Sequence, residues 1–347
     1  MALVDIFVLL LFVLVIMNYK NFNSDYLDTS NTNYLRGFFA LFIVLHHISQ
    51  RSGQSEIFDN FLFVGEYGVA FFFALSAYSL ITQYKKQESY MNNFLSKRLA
   101  KLFIPYLVFS IIYFIFWFFT YDKYRTSEEI LKLLTRKESI IISGWFLQAI
   151  ILMYILFYIS FKFVKSIKLA CLTNTILVGI AICIMIIFKV GYWEYNSLLA
   201  FPLGLFWGLY KEKIDNLMKN NYTILILLFS FLVFIGHNYV DILMELEIDD
   251  VPFFSALLAN MKNIFFVIFF MLLALKLNFK NKFFDFIGTI SLEFYLVHGM
   301  FIYYLPDILG KDNKDDFVYA TLVLTLSIIS AYVLHKFINR IQKNKRF

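Results

Sequence analysis

Long hydrophobic stretches separated by short polar segments recur along the whole chain. A transmembrane helix needs about 20 mainly apolar residues, and eleven stretches approach or reach that length. The second and the seventh are short, so the pattern predicts ten or eleven spans. The stretches are Leu3–Tyr19, Leu35–Ser49, Phe61–Thr82, Phe103–Tyr121, Trp145–Phe161, Leu169–Phe188, Leu198–Tyr210, Tyr222–Gly236, Phe253–Leu277, Phe284–Leu305 and Phe317–Leu334.

The composition also indicates a membrane protein. Hydrophobic residues make up 60% of the 347 positions and charged residues only 16%, whereas a soluble domain has about 25% charged residues. We therefore expect an all-α, polytopic transmembrane helix bundle of the plasma membrane with no soluble domain. The first stretch has no preceding basic residue and no small-residue cleavage site, so we interpret it as a span and not as a signal peptide.

Lysine and arginine are distributed unevenly between alternate loops. Most of the 31 basic residues fall in one set of loops, and the positive-inside rule places that set in the cytoplasm. The N-terminus is then expected outside, and Arg36 at the cytoplasmic end of its helix. Because the net charge of +6 arises from this asymmetry and no nucleic-acid motif accompanies it, we expect no nucleic-acid partner.

Arg36 and His47 occupy the second apolar stretch, eleven positions apart. At 100° per residue they differ by about 20° from three full turns, so a helix places both on one face, about 16 Å apart. Ionisable groups inside a membrane helix are costly and usually functional. The pair therefore predicts a polar path between a cation at one surface and an imidazole nearer the other.

Five short motifs occur in order along the chain: Leu35–His47, Gly68–Ala77, Lys97–Pro105, Trp145–Leu147 and Ser291–His298. They resemble the Arg/Lys-x10-His, Gly-Val-x-x-Phe-Phe-x-x-Ser-Gly and Arg-x-x-Arg signatures, and the later segments, of the acyltransferase-3 family. The resemblance runs from about residue 33 to residue 335, so we divide the chain into an extra N-terminal helix and connecting loop, residues 1–32, and a family-like domain, residues 33–347. Two positions differ from the pattern, since Lys101 replaces an arginine and Ala77 a glycine.

Members of that family are membrane enzymes that O-acylate mainly cell-envelope carbohydrates. The resemblance implies transfer of an acyl group, acetyl above all, from acetyl-CoA in the cytoplasm to a carbohydrate or lipid-linked glycan such as a capsular polysaccharide or exopolysaccharide. It also implies a catalytic role for His47, which either deprotonates the acceptor or carries the acyl group itself.

The residues themselves support His47 as a base. Acyl transfer to a hydroxyl needs a base, and a neutral imidazole near pH 7 can accept a proton. The adjacent His46 is chemically identical, but side chains next to each other on a helix diverge by about 100°, so we expect only His47 to face the site.

In the last motif His298 is a second candidate for acid–base or acceptor-binding work, with a structural hydrogen bond as the alternative. Glu293 is a third catalytic candidate, which could orient a histidine or pair with a cation such as Lys262 or Arg36.

The remaining candidates bind ligands. Arg36, Arg98 and Lys101 are expected to hold the phosphates of the acyl-CoA. The alternative is that Lys97, Arg98 and Lys101 anchor the protein to lipid phosphates. Trp145 could stack on a sugar or serve as an aromatic-belt anchor. Ser76, from the second motif, and Tyr295, from the last, complete the substrate-binding candidates. No cluster of residues has the spacing of metal ligands, so we expect no metal.

The sequence is also compatible with two other function classes. A transporter or flippase for a lipid-linked glycan would also have ten or more spans with rare internal charges. Such proteins often show two related halves, whereas the motifs here do not recur. A sensor without turnover would leave the polar path between Arg36 and His47 unexplained.

Overall fold

The structure is a computed structural model that describes residues 21–52, 56–121, 144–240, 252–309 and 315–344, with three further helical positions, Val13, Ile16 and Met17. All regular structure among these residues is helical, so the all-α prediction is confirmed there. The α-helices are α1 (Thr29–Ser49), α2 (Glu56–Asp59), α3 (Val64–Lys86), α4 (Phe94–Tyr121), α5 (Trp145–Phe163), α6 (Ile167–Ile187), α7 (Ala200–Leu209), α8 (Lys211–Asn220), α9 (Tyr222–Ile235), α10 (Pro252–Lys276), α11 (Lys282–Thr289), α12 (Ser291–Leu309) and α13 (Asp316–Asn344).

Six of the described helices are long and apolar enough to cross a membrane, or up to eight spans if each of two bent helix pairs counts as one. The bends are 96° between α8 and α9 and 80° between α11 and α12. The described residues thus have the helices of a multi-pass membrane protein, but the predicted ten or eleven spans are not confirmed. Helix α7 has only 10 residues, α1 is not among the candidate spans, and the first stretch, Leu3–Tyr19, lies almost entirely outside the described residues.

Regularly spaced apolar side chains on α4 are exposed. Phe103, Leu107, Ile111 and Ile115 recur every fourth residue and are each about half exposed. This spacing places them on one helical face. An apolar face of this kind suits contact with lipid.

The chain divides into two compact units. The first unit comprises the described parts of Met1–Thr32, Glu66–Asn92 and Ile155–Asn281, and the second comprises those of Asn33–Gly65, Asn93–Tyr154 and Lys282–Phe347. Helix α5 contributes to both units, with its first half in the second unit.

A buried ion pair lies inside the first unit. Lys262 of α10 pairs with Glu66 of α3, and the other carboxylate oxygen accepts hydrogen bonds from the amides of Asn196 at 3.0 Å and Asn263 at 3.3 Å. The Lys262 side chain is 1% exposed and that of Glu66 15%. A buried charge is tolerated only when it is paired and hydrogen-bonded, and this cluster meets that requirement.

The segment before α1 is anchored to the first unit through Tyr26. Its hydroxyl donates to Asp215 Oδ1 at 2.8 Å and accepts from Trp207 Nε1 at 2.9 Å. Asp215 also pairs with Lys211 at 2.5 Å. Burial, together with the Asp215 carboxylate, raises the pKa of the Tyr26 phenol above its ordinary value, so that phenol keeps its proton and serves as a donor.

In the second unit, α12 packs along α13, and both contact α4. Helix α1 crosses α11 at two glycines. A Cβ at Gly37 would lie 1.9 Å from the carbonyl oxygen of Phe284, and one at Gly288 would lie 2.1 Å from that of Asn33. Only glycine permits so close an approach of two backbones. The crossing therefore fixes the position of α1 along α11.

Candidate active site

The last turn of α1 carries two adjacent histidines, His46 and His47. Ser49 ends the helix, and its hydroxyl donates to the carbonyl oxygen of His46 at 2.6 Å. The two imidazole rings lie with their centroids 4.9 Å apart. Both histidines therefore belong to one cluster of polar groups, and the choice of His47 over His46 as the catalytic histidine stays a prediction.

Gln50 links the two histidines just beyond the end of α1. His47 Nδ1 lies 3.0 Å from Gln50 Oε1, and His46 Nε2 lies 3.1 Å from Gln50 Nε2. His46 Nδ1 lies 3.2 Å from the carbonyl oxygen of Phe61. We call this chain of three hydrogen bonds, Phe61–His46–Gln50–His47, the imidazole relay.

His298 of α12 faces His47. The two rings are 5.2 Å apart between centroids and inclined by 30°. His298 is fully buried, and its Nδ1 lies 2.5 Å from the carbonyl oxygen of Tyr295. Its Nε2 is buried and meets no hydrogen-bond partner among the described residues. A buried nitrogen without a partner costs free energy, so this atom is a natural contact for a ligand.

The start of α5 lies beside this pair. The first amides of a helix have no partner within the helix, and that of Phe146 bonds to the Tyr295 hydroxyl. The Tyr295 ring packs edge-on against Phe146 at 5.3 Å and lies 5.5 Å from His298. Trp145 packs edge-on against Phe146 at 6.3 Å. The structure thus brings Tyr295 and Trp145 to one neighbourhood with the histidines.

The predicted cations lie toward the other end of α1. Arg36 is close enough to Arg98 of α4 and to the Tyr154 hydroxyl to interact with them electrostatically. Lys101 is exposed on α4, three residues after Arg98. Two guanidinium groups held near each other repel, and a polyanionic ligand relieves that repulsion. The arrangement suits a ligand with several phosphates.

Glu293 contacts a histidine that the motifs did not indicate. Its Oε1 lies 3.0 Å from Nδ1 of His335 on α13, and His335 Nε2 lies 2.8 Å from the amide of Asn339. The predicted alternative pairing with Lys262 is wrong, because Lys262 pairs with Glu66. The only sequence signal for His335 is its spacing from Asn339, four residues later on the same helical face. No sequence signal indicates that His335 meets Glu293.

Ser76 lies in α3, within the first unit, and is partly buried. Its assignment as a substrate-binding residue stays a prediction. Among the described residues, no group of three or more histidine, cysteine, aspartate or glutamate side chains could hold a metal ion.

Comparison with models of protein families matches residues 29–336 to one described as an acyltransferase domain. No curated protein and no solved structure matches the chain. The family match covers the cation pair, the facing histidines, Glu293 and His335. The match gives a range of residues and no roles, so the roles of these residues are argued from the geometry described above.

Proposed function

Since the chain belongs to the acyltransferase-3 family, we propose that it is a membrane O-acyltransferase. It moves an acyl group, of acetyl size, from a cytoplasmic acyl-CoA to a hydroxyl of a cell-surface or lipid-linked carbohydrate. The observation that carries this proposal is the pair of facing imidazoles, His47 and His298, with a buried unpartnered nitrogen on His298. An acyl-transfer site needs groups that can accept a proton beside a bound hydroxyl.

In this mechanism His47 is the general base. Its Nε2 takes the proton of the acceptor hydroxyl while the hydroxyl oxygen bonds to the carbonyl carbon of the thioester. The resulting tetrahedral intermediate collapses by breaking the carbon–sulfur bond. The departing thiolate takes the proton from the imidazolium, so the products are an O-acyl ester and free coenzyme A. His298 Nδ1 donates to the Tyr295 carbonyl, so the lone pair of its Nε2 would accept a hydrogen bond from a hydroxyl of the acceptor.

The donor is held at the cytoplasmic end by cations. Arg36 and Arg98 would bind the phosphates of the acyl-CoA through charge-assisted hydrogen bonds, and Lys101 adds an exposed positive charge. A lysine offers point charge without the planar fork of an arginine. We therefore assign Lys101 the smaller share of phosphate binding.

The acceptor is assigned to the end of the site where α5 begins. Tyr295 would donate a hydrogen bond to a sugar hydroxyl, because its own oxygen already accepts from the Phe146 amide. Trp145 offers an aromatic face for a sugar ring. Glu293 would act through His335, its observed partner, as a positioning group.

The test compares wild type with His47→Ala in a host lacking the gene, at equal membrane levels. Surface and lipid-linked glycans are analysed by mass spectrometry for acyl-sized mass increments. The matched control is His237→Ala, at a histidine of the π-helical segment Gly236–Val240 that follows α9 in the first unit. We expect the increment with wild type and the control, and its loss with His47→Ala. If wild type adds no acyl group of any size while glycan export changes, a transporter function replaces this proposal.

A further inference from the structure

The hydrogen bonds of the imidazole relay have a fixed direction. A backbone carbonyl can only accept, so His46 Nδ1 must carry the proton that it donates to Phe61. A neutral His46 then has an acceptor at Nε2. The amide nitrogen of Gln50 lies 3.1 Å from that atom and donates to it.

This direction determines the orientation of Gln50. With its NH2 group donating to His46, its Oε1 faces His47 Nδ1 at 3.0 Å. An amide oxygen only accepts, so His47 Nδ1 must carry a proton. In neutral His47 the lone pair is then on Nε2.

We propose that His46 and Gln50 are positioning residues that hold His47 in the tautomer with Nε2 unprotonated and able to react, an inference that rests on the proposed function. The Phe61 carbonyl sets the direction, and the three hydrogen bonds transmit it to His47. Both chemical routes use the same atom, because Nε2 would accept the hydroxyl proton in direct transfer and would carry the acyl group in a covalent route. His46 is then a partner of the base and not its competitor.

The relay also explains why an amide occupies this position. A carboxylate beside the imidazole stabilises the protonated ring as well as orienting it. The neutral amide of Gln50 orients the ring without adding a negative charge. His47 therefore remains an uncharged base while it awaits the acceptor.

Enzyme kinetics test the roles of the two residues. Gln50→Met keeps the length of the side chain and removes both hydrogen bonds, and His46→Phe keeps a ring and removes the polar link. We expect either change to lower kcat by about 10–100-fold, the loss seen when a metal-binding histidine loses the partner that orients its ring. KM for both substrates should stay within about twofold, because neither side chain binds substrate. His46→Asn, which can both donate and accept, should recover part of kcat. Gln83→Met, at an exposed glutamine of α3, is the matched control and should retain wild-type kinetics.

A spectroscopic measurement reads the tautomer directly. The chain has five histidines, so ¹⁵N-labelled imidazoles in lipid bilayers can be assigned by single substitutions. We expect the His47 signal to show a protonated Nδ1 and an unprotonated Nε2 in wild type and Gln83→Met. In Gln50→Met that preference should be lost.

The possible outcomes separate this inference from the proposed function. Loss of activity in His47→Ala with wild-type kcat in Gln50→Met and His46→Phe would overturn the relay and leave the transferase assignment intact. A His47 signal with Nε2 protonated in wild type would also overturn it. If wild type had no transferase activity but Gln50→Met still changed the His47 tautomer, the relay would be supported and the proposed function would fail.

Discussion

Replacing Gly65 by alanine should reduce catalysis by displacing His46. Gly65 is the second residue of α3, and a Cβ built there lies 2.3 Å from His46 Cδ2 and 2.6 Å from Cγ. Ordinary carbon contacts begin at about 3.4 Å, so the imidazole must move by about 1 Å. The hydrogen bond from His46 to Phe61, already 3.2 Å long, has little room to lengthen before it is lost.

The expected loss in kcat for Gly65→Ala is of the order of 100-fold, the size that a displacement of about 1 Å can cause. Stability should change much less. Alanine is favoured over glycine inside a helix by about 1 kcal/mol, which offsets part of the roughly 1–3 kcal/mol that overpacking costs. Activity and stability should therefore separate in this variant.

Initial rates of acyl transfer and thermal unfolding in detergent measure the two effects. Gly179→Ala is the matched control, because a Cβ there meets nothing within 4 Å, and it should keep wild-type kcat. The double variant Gly65→Ala with His46→Ala lacks the two shortest contacts, those with Cδ2 and Cγ, so its kcat should equal that of His46→Ala alone. Wild-type kcat in Gly65→Ala would refute the reasoning, because the position of His46 would then be irrelevant to catalysis.

Three further predictions concern the other buried and charged groups. Glu66→Leu or Lys262→Met alone should lower the free energy of unfolding by about 3–5 kcal/mol, whereas the two together should cost less than either, as chemical unfolding in detergent would show. Arg98→Lys should raise KM for the acyl-CoA by about tenfold, equivalent to about 1.4 kcal/mol, with little change in kcat, in steady-state assays. Because folding raises the pKa of Tyr26, the phenol stabilises the fold fully at pH values below its ordinary pKa of 10.0, and this stabilisation is lost as pH rises above that value. Between about pH 8 and pH 11 the unfolding temperature should therefore fall more steeply for wild type than for Tyr26→Phe.

The helical period of α1 could be predicted from sequence because it depends on local geometry alone. The run Leu35–Ser49 lies within a helix from Thr29 to Ser49, and a 3.6-residue repeat is enough to relate Arg36 to His47. The motif Ser291–His298 likewise lies within one helix, which places Tyr295 and His298 on neighbouring turns.

Long-range partners could not be predicted in the same way. Glu66 and Lys262 are separated by nearly two hundred residues, and no local pattern indicates that one carboxylate meets that ammonium. The relay was missed for a related reason. The direction of its hydrogen bonds depends on the Phe61 carbonyl. Every residue has a backbone carbonyl, so the amino-acid sequence does not indicate which one meets His46.

The number of spans depends on bends that apolar composition does not reveal. The run Phe284–Leu305 is nearly continuous in hydropathy, yet the chain turns by 80° between α11 and α12. The glycine contact at Gly288, directly before the bend, fixes α11 against α1. Hydropathy measures transfer into lipid and contains no term for such packing, so Phe284–Leu305 was predicted as one ordinary span.

In the proposed mechanism, helix α1 sets the distance between the donor-binding cation Arg36 and the reacting nitrogen of His47. Coenzyme A carries its phosphates at one end and its thioester at the other, so a transferase must bind both at a fixed separation. Arg36 and His47 lie on one helix, eleven residues or about 16 Å apart, and a helix does not stretch. Because the contact at Gly37 fixes α1 against α11, both groups keep their positions together. A rigid spacer of this kind supplies the positioning that converts binding energy into rate, and it does so with two side chains of a single helix.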